Sequence, residues 1–281
     1  MTRENLEICI TEVTNYKVKT ENSFHKVWEV LLPFLIYYIA YNVIYILVAA
    51  LLNMVMNRIG GASDYLMQHA VTVTGLVSGL CMLVAVLPLW RMWKQELAGS
   101  TIPVATGKKN IILCAVLALG ASLGLNSLLS VSGFAAHSET YQNVAQNQYG
   151  VAFGIGMILY GIISPFVEEV VFRGIIYNRM RRLYPVTAAI LVSGVLFGAY
   201  HGNVVQGVYG TCMGILLAYV YERTGRFWIP VGFHMLANVA VYTISHISAW
   251  QEQLLQVPSG VLLLAVAGVS VTAIERGKEK R

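Results

Sequence analysis

Residues 164–174 read Ser164-Pro-Phe-Val-Glu-Glu-Val-Val-Phe-Arg-Gly174 and sit at the end of an apolar segment, 148–165, long enough to lie in a bilayer. Two carboxylates and a guanidinium thus fall within six residues at membrane depth. An ionisable side chain there costs several kcal/mol (about 3 or more), so it faces a protein interior or a water cavity and marks function.

Working outward, the 281-residue chain is 57% hydrophobic and 12% charged, with a mean hydropathy of +0.63. Soluble domains carry about twice that share of charge. Apolar segments fall near 28–53, 69–90, 110–131, 148–165, 187–202, 204–222, 228–246 and 258–275. They predict an all-α polytopic membrane protein of about eight transmembrane helices, with a break near Gly202-Asn203.

The net charge of +5 is set by topology. Lys and Arg cluster in alternate connections. They occur at Arg3, Lys17, Lys19 and Lys26; at Arg91, Lys94, Lys108 and Lys109; at Arg179, Arg181 and Arg182; at Arg223 and Arg226; and at Arg276, Lys278, Lys280 and Arg281. Of the connections between, one has Arg58 alone and the others have none. The positive-inside rule then puts both termini in the cytoplasm. This excludes a nucleic-acid surface as the meaning of the basic surplus; the partners expected are the lipid bilayer and a peptide or membrane-protein substrate.

The chain divides by composition into a cytosolic N-terminal segment (1–27), three scaffold spans almost free of ionisable groups (28–131), a chemistry-bearing core (148–246), and a last span with a basic cytosolic tail (258–281). The scattered cysteines, Cys9, Cys81, Cys114 and Cys212, form no metal or redox motif. Gly194, Gly198 and Gly202, and again Gly210 and Gly214, repeat every four residues, a pattern for close helix packing.

Glu168 lies 16 residues before Tyr184 and His201 16 residues after Pro185. On antiparallel helices they reach the same depth and face each other across the hairpin. Glu169 and Arg173 share a face at i, i+4, while Glu168 points about 100° away. Glu169 then pairs with Arg173 and leaves Glu168 for chemistry, the arrangement a general base needs. Phe197 and His201 repeat the i, i+4 spacing, as do His234 and Asn238, where Asn238 is placed either to orient His234 or to donate to an oxyanion. His69 and His246, near span ends, read as structural, and Ser164, Ser193, Tyr200, Tyr209 and Thr211 as helix-satisfied hydroxyls.

Other intramembrane chemistries are excluded by residue content. The single aspartate, Asp64, rules out an aspartate pair; no HExxH occurs; and Gly75-Leu-Val-Ser78-Gly79 has the wrong spacing for a G-x-S-G nucleophile.

Glu168-Glu169-x-x-x-Arg173, Phe197-x-x-x-His201 and His234-x-x-x-Asn238, in that order over 150–240, resemble the three-motif signature of the CAAX prenyl endopeptidase and bacteriocin-processing (CPBP, or Abi) family. The first three spans carry no part of it. The resemblance implies an eight-span intramembrane protease opening towards the cytosol, in a bacterial plasma membrane. Carried over, Glu168 and His201 activate water, His234 and Asn238 stabilise the oxyanion, and Glu169 and Arg173 brace the site. Family members are described as glutamate-type or metal-dependent, so Glu168, His201 and His234 are also the residues that would ligate a divalent metal such as zinc. Nothing in the chain selects a prenylated cysteine. Two other readings compete: a non-enzymatic bacteriocin-immunity or interaction protein keeping the fold, disfavoured by the intact motifs, and a cation-coupled transporter, disfavoured by a single polar cluster without paired halves.

Overall fold

The computed structural model describes residues 3–58, 62–104 and 107–279. All regular structure in them is helical: α1 (Arg3–Arg58), α2 (Ala62–Gln68), α3 (Ala70–Ala85), α4 (Trp90–Ala98), α5 (Lys108–Val131), α6 (Glu139–Tyr149), the continuous α7 (Phe153–Leu183), α8 (Val186–Tyr200), α9 (Val204–Thr224), α10 (Trp228–Ile244), α11 (Ser248–Leu254) and α12 (Val257–Glu279). Six stretches are long and apolar enough to cross a membrane: Phe24–Arg58, Ala70–Ala98, Asn110–Val131, Phe153–Leu183, Val204–Thr224 and Val257–Gly277. The remaining two predicted spans are shorter apolar helices, Val186–Tyr200 and Trp228–Ile244. Cys81 and Cys114 are buried free thiols and Cys212 is half-buried. The side chain of Cys9 and the last two residues of the basic tail, 280–281, lie outside the described residues.

α7 does not end where its apolar segment does. It runs on through Arg179 to Leu183, so its tip rises about 22 Å above Glu168. That extension removes an apparent mismatch of depth, since His234 lies only six residues into α10 yet meets the α7 carboxylates. α7 is also wound unevenly, with π-helical turns at Leu159–Ile163 and Val170–Tyr177 bracketing Ser164–Glu169. Pro165 explains the first. It has no N–H to donate back and its ring crowds the preceding turn, so the helix widens there.

α8 is only 15 residues, about 22 Å, which is less than the hydrocarbon thickness. Its turn comes where the sequence predicts: Gly202 takes φ +72, a left-handed conformation, and Asn203 caps α9 by accepting from the Gln206 amide at 2.9 Å. The glycine pattern on α8 and α9 does the packing expected of it. A β-carbon on Gly214 would come within 2.9 Å of Gly194 Cα, and one on Gly198 within 2.8 Å of the Thr211 amide nitrogen. α5 and α12 close in the same way, with a β-carbon on Gly120 falling 2.7 Å from the Leu263 carbonyl.

The bundle has two chemically different ends. At one, Arg179 binds Glu96 at 2.8 Å, Arg182 binds the other oxygen of Glu96, Arg181 binds Glu222 at 3.0 Å, and Arg223 binds Glu275 at 2.8 Å. These pairs tie α4, α7, α9 and α12 together. The other end holds α6, the α8–α9 turn and the α10–α11–α12 connections, and the segments 132–152, 201–203 and 245–257 contain neither Lys nor Arg. There His246 contacts the Tyr242 and Tyr149 carbonyls at 2.8 and 3.2 Å, the structural role expected of it.

Candidate active site

The depth match between Glu168 and His201 holds: both line one cavity of about 480 Å³, together with His234 and Asn238. Each side chain is positioned by a local feature of its helix. Glu169 and Arg173 are fully buried, and one helical turn brings Arg173 Nη1 to Glu169 Oε1 at 2.8 Å. Arg173 Nη2 donates to the Gly214 carbonyl of α9 at 2.8 Å. Its guanidinium lies 4.6 Å from the Phe197 ring centre, a cation–π contact. Arg173 is thereby engaged by three different elements.

His234 joins the two carboxylates. Its Nδ1 is 2.9 Å from Glu169 Oε1, and its Nε2 is 3.7 Å from Glu168 Oε2, beyond a direct hydrogen bond. A carboxylate only accepts, so Nδ1 carries the hydrogen and Nε2 faces Glu168. Glu168 itself stays out of the Arg173 pair, as its position on the helix predicts, and accepts from Ser164 Oγ. The Ser164 hydroxyl is thus satisfied within its own helix, as expected, but by the Glu168 side chain, one turn on.

His201 Nδ1 lies 2.9 Å from the Phe197 carbonyl and can only donate to it, which leaves Nε2 as the ring's outward nitrogen. Phe197 stands edge-on to His201 at 5.0 Å and to His234 at 5.6 Å between ring centres, so both imidazoles pack on one ring. Asn238 makes no hydrogen bond to His234 but has a partner that neither expectation named. Its Nδ2 donates to the Tyr160 carbonyl at 2.9 Å. Within the π-helical turn that carbonyl would look five residues on, to Pro165, which has no N–H. Asn238 supplies the missing donor and keeps its second amide hydrogen.

Glu168 Oε2 and His234 Nε2 are spaced as two ligands of one ion can be, since bonds of about 2.0–2.1 Å at a tetrahedral centre set ligands roughly 3.4 Å apart. The third donor is missing. Among the described residues no three His, Cys, Asp or Glu side chains gather at metal-site spacing, so Glu168, His201 and His234 do not form a ligand set as they stand.

Similarity to known proteins agrees with this core. A model of the "Type II CAAX prenyl endopeptidase Rce1-like" family matches residues 150–240, the stretch holding all six candidate residues. The Bacillus subtilis (strain 168) protein named "Putative membrane peptidase YdiL" is 27% identical over 201 residues, 65% of this chain and 75% of the relative. Over this stretch the chain is similar to the CAAX prenyl endopeptidase family. It is a multi-pass membrane protein whose core resembles a membrane-protease family. No solved structure matches it. The matched stretch begins just before α7 and ends within α10.

Proposed function

We propose that the protein is an intramembrane endopeptidase in which Glu168 and His201 activate water. The observation that carries this reading is the division of labour between the two adjacent glutamates: Glu169 is buried away from the cavity with its Oε1 bound to both Arg173 and His234, whereas Glu168 faces the cavity with a serine hydroxyl on it. A water held between Glu168 and His201 Nε2 gives its proton to Glu168 as its oxygen adds to the peptide carbonyl carbon. The developing oxyanion meets the free amide hydrogen of Asn238 and, when His234 carries its second proton, the Nε2–H of that ring. Collapse breaks the C–N bond, and Glu168 returns the proton to the leaving amine. Glu169 and Arg173 hold His234 in place throughout.

The test compares purified wild type with Glu168→Gln on a quenched peptide library, with and without chelator. Glu168-dependent cleavage supports hydrolysis by this site, and equal cleavage by the variant sinks it. Loss of wild-type activity on chelation would assign a metal-dependent subtype and replace the water-activation scheme. The resemblance carries with it a scissile bond near the cytosolic boundary, but the shape of the cavity favours the opposite approach.

A further inference from the structure

The cavity at Glu168 is one-sided. Its lining continues from the reactive groups to Asn126, Ser130, Tyr141, Gln148 and Gln206, near the end of the bundle that carries α6. Among the described residues, none from 83–125, 169–196 or 214–233 lines it, although those segments hold every arginine of the paired end and its Glu96 and Glu222. Towards that end the path is filled. Val170 to Tyr177 are all buried, and below them Trp93 packs on Phe227 at 5.4 Å while Phe166 stacks on Trp228 at 6.1 Å. Gly174 sits so close under Trp93 that a β-carbon there would overlap the indole.

The two ends also differ in the one property that orients membrane proteins. The closed end has the arginines; the connections at the open end have no Lys or Arg in 132–152, 201–203 or 245–257. By the positive-inside rule the open end is extracytoplasmic. The turn at Gly202 fits this picture, because irregular backbone within the membrane thickness is tolerated where it lines a polar cavity.

The lining also describes the guest. Nine tyrosines, among them Tyr37, Tyr149 and Tyr209, face the chamber with carboxamides such as Asn126 and Gln148, and Glu168 is its only Asp, Glu, Lys or Arg among the described residues. Phenol and amide groups hydrogen-bond a peptide backbone and pack on uncharged side chains, whereas an acidic side chain would meet only the like charge of Glu168.

We propose that the substrate enters from the extracytoplasmic end as an extended peptide segment, uncharged around the scissile bond, and threads past α6 to Glu168. This rests on the peptidase reading of the site, yet access can be measured without activity. In a background with the native cysteines replaced by alanine, Gln148→Cys and Gln206→Cys report the chamber and Lys94→Cys the opposite end. A membrane-impermeant maleimide applied to intact cells should label the first two and spare Lys94→Cys; inverted vesicles should give the reverse. A chamber labelled only in inverted vesicles, or from neither side, overturns the proposal. Cleavage is the second arm. An uncharged peptide offered to right-side-out vesicles should be cut, bulky maleimide on Gln206→Cys should slow this at least tenfold, and a glutamate beside the scissile bond should lower kcat/KM at least tenfold. Outside labelling with no cleavage of any peptide would refute the hydrolase reading while leaving the direction of access standing; cleavage insensitive to both changes would refute the threading path.

Discussion

The molecule uses carboxylate–guanidinium contacts in two places and to opposite ends. At the basic tips, Glu96 takes Arg179 and Arg182, and Glu222 takes Arg181 and the Tyr177 hydroxyl at 2.8 Å. Charges there are partly solvated and every named carboxylate is covered. In the membrane interior there is one arginine for two carboxylates, and it binds Glu169 alone; the side chains of Glu168 and Glu169 are 8% and 0% exposed. Charge is satisfied completely where it only clamps helices, and left one partner short where a cavity opens. The unpaired carboxylate is therefore a built feature of the interior cluster, since the same chain closes its ion pairs elsewhere.

If this contrast is right, substitutions at the two places separate by type and by size. Glu168→Gln, nearly isosteric, should lower kcat by about 10²–10⁴, with the thermal midpoint in detergent unchanged within error; a matching loss of stability would make Glu168 another structural partner. Arg173→Ala leaves the buried Glu169 uncompensated and should destabilise by about 3–5 kcal/mol, read as lost folded protein in size-exclusion chromatography. Adding Glu169→Gln to it should recover part of that fold but little cleavage. Gly198→Ala forces α8 off α9 and should cost about 1–3 kcal/mol, with kcat falling as Arg173 loses the Gly214 carbonyl. Ser164→Ala should reduce kcat roughly tenfold by freeing Glu168, since a hydrogen bond to a charged group is worth about 1.5–3 kcal/mol, and Ser164→Thr should restore most of it. Arg182→Ala, at the partly solvated tip, should cost at most about 1 kcal/mol and leave kcat alone; a large effect there would erase the distinction between the two places.

Much of this was legible in the chain because it depends on local periodicity. The apolar segments, the break at Gly202-Asn203, the Glu169–Arg173 turn and the Phe197–His201 contact all follow from spacing along one helix or hairpin. The shared depth of Glu168 and His201 is likewise a matter of counting. What spacing could not give is anything decided between helices. That His234 takes Glu169 rather than Asn238 as its Nδ1 partner depends on how α10 is turned against α7. The arginines at 179–182 look in sequence like free topology signals, and only packing shows Glu96, some 80 residues earlier, under two of them. Pro165 did carry an unread signal: a proline inside a helix-length apolar segment announces an orphaned carbonyl, and a partner for it had to exist somewhere.

That partner has a mechanical consequence. With the amide of Asn238 seated in the gap that Pro165 opens in α7, the two helices are keyed like a bolt in its slot. A shift of α10 by one residue along α7 would strand the Tyr160 carbonyl in hydrocarbon, so a thicker or thinner bilayer must be met by leaning the pair as a unit. The gap between Glu168 and His234 should then stay constant across lipids of different chain length, a tolerance set by one proline and one asparagine.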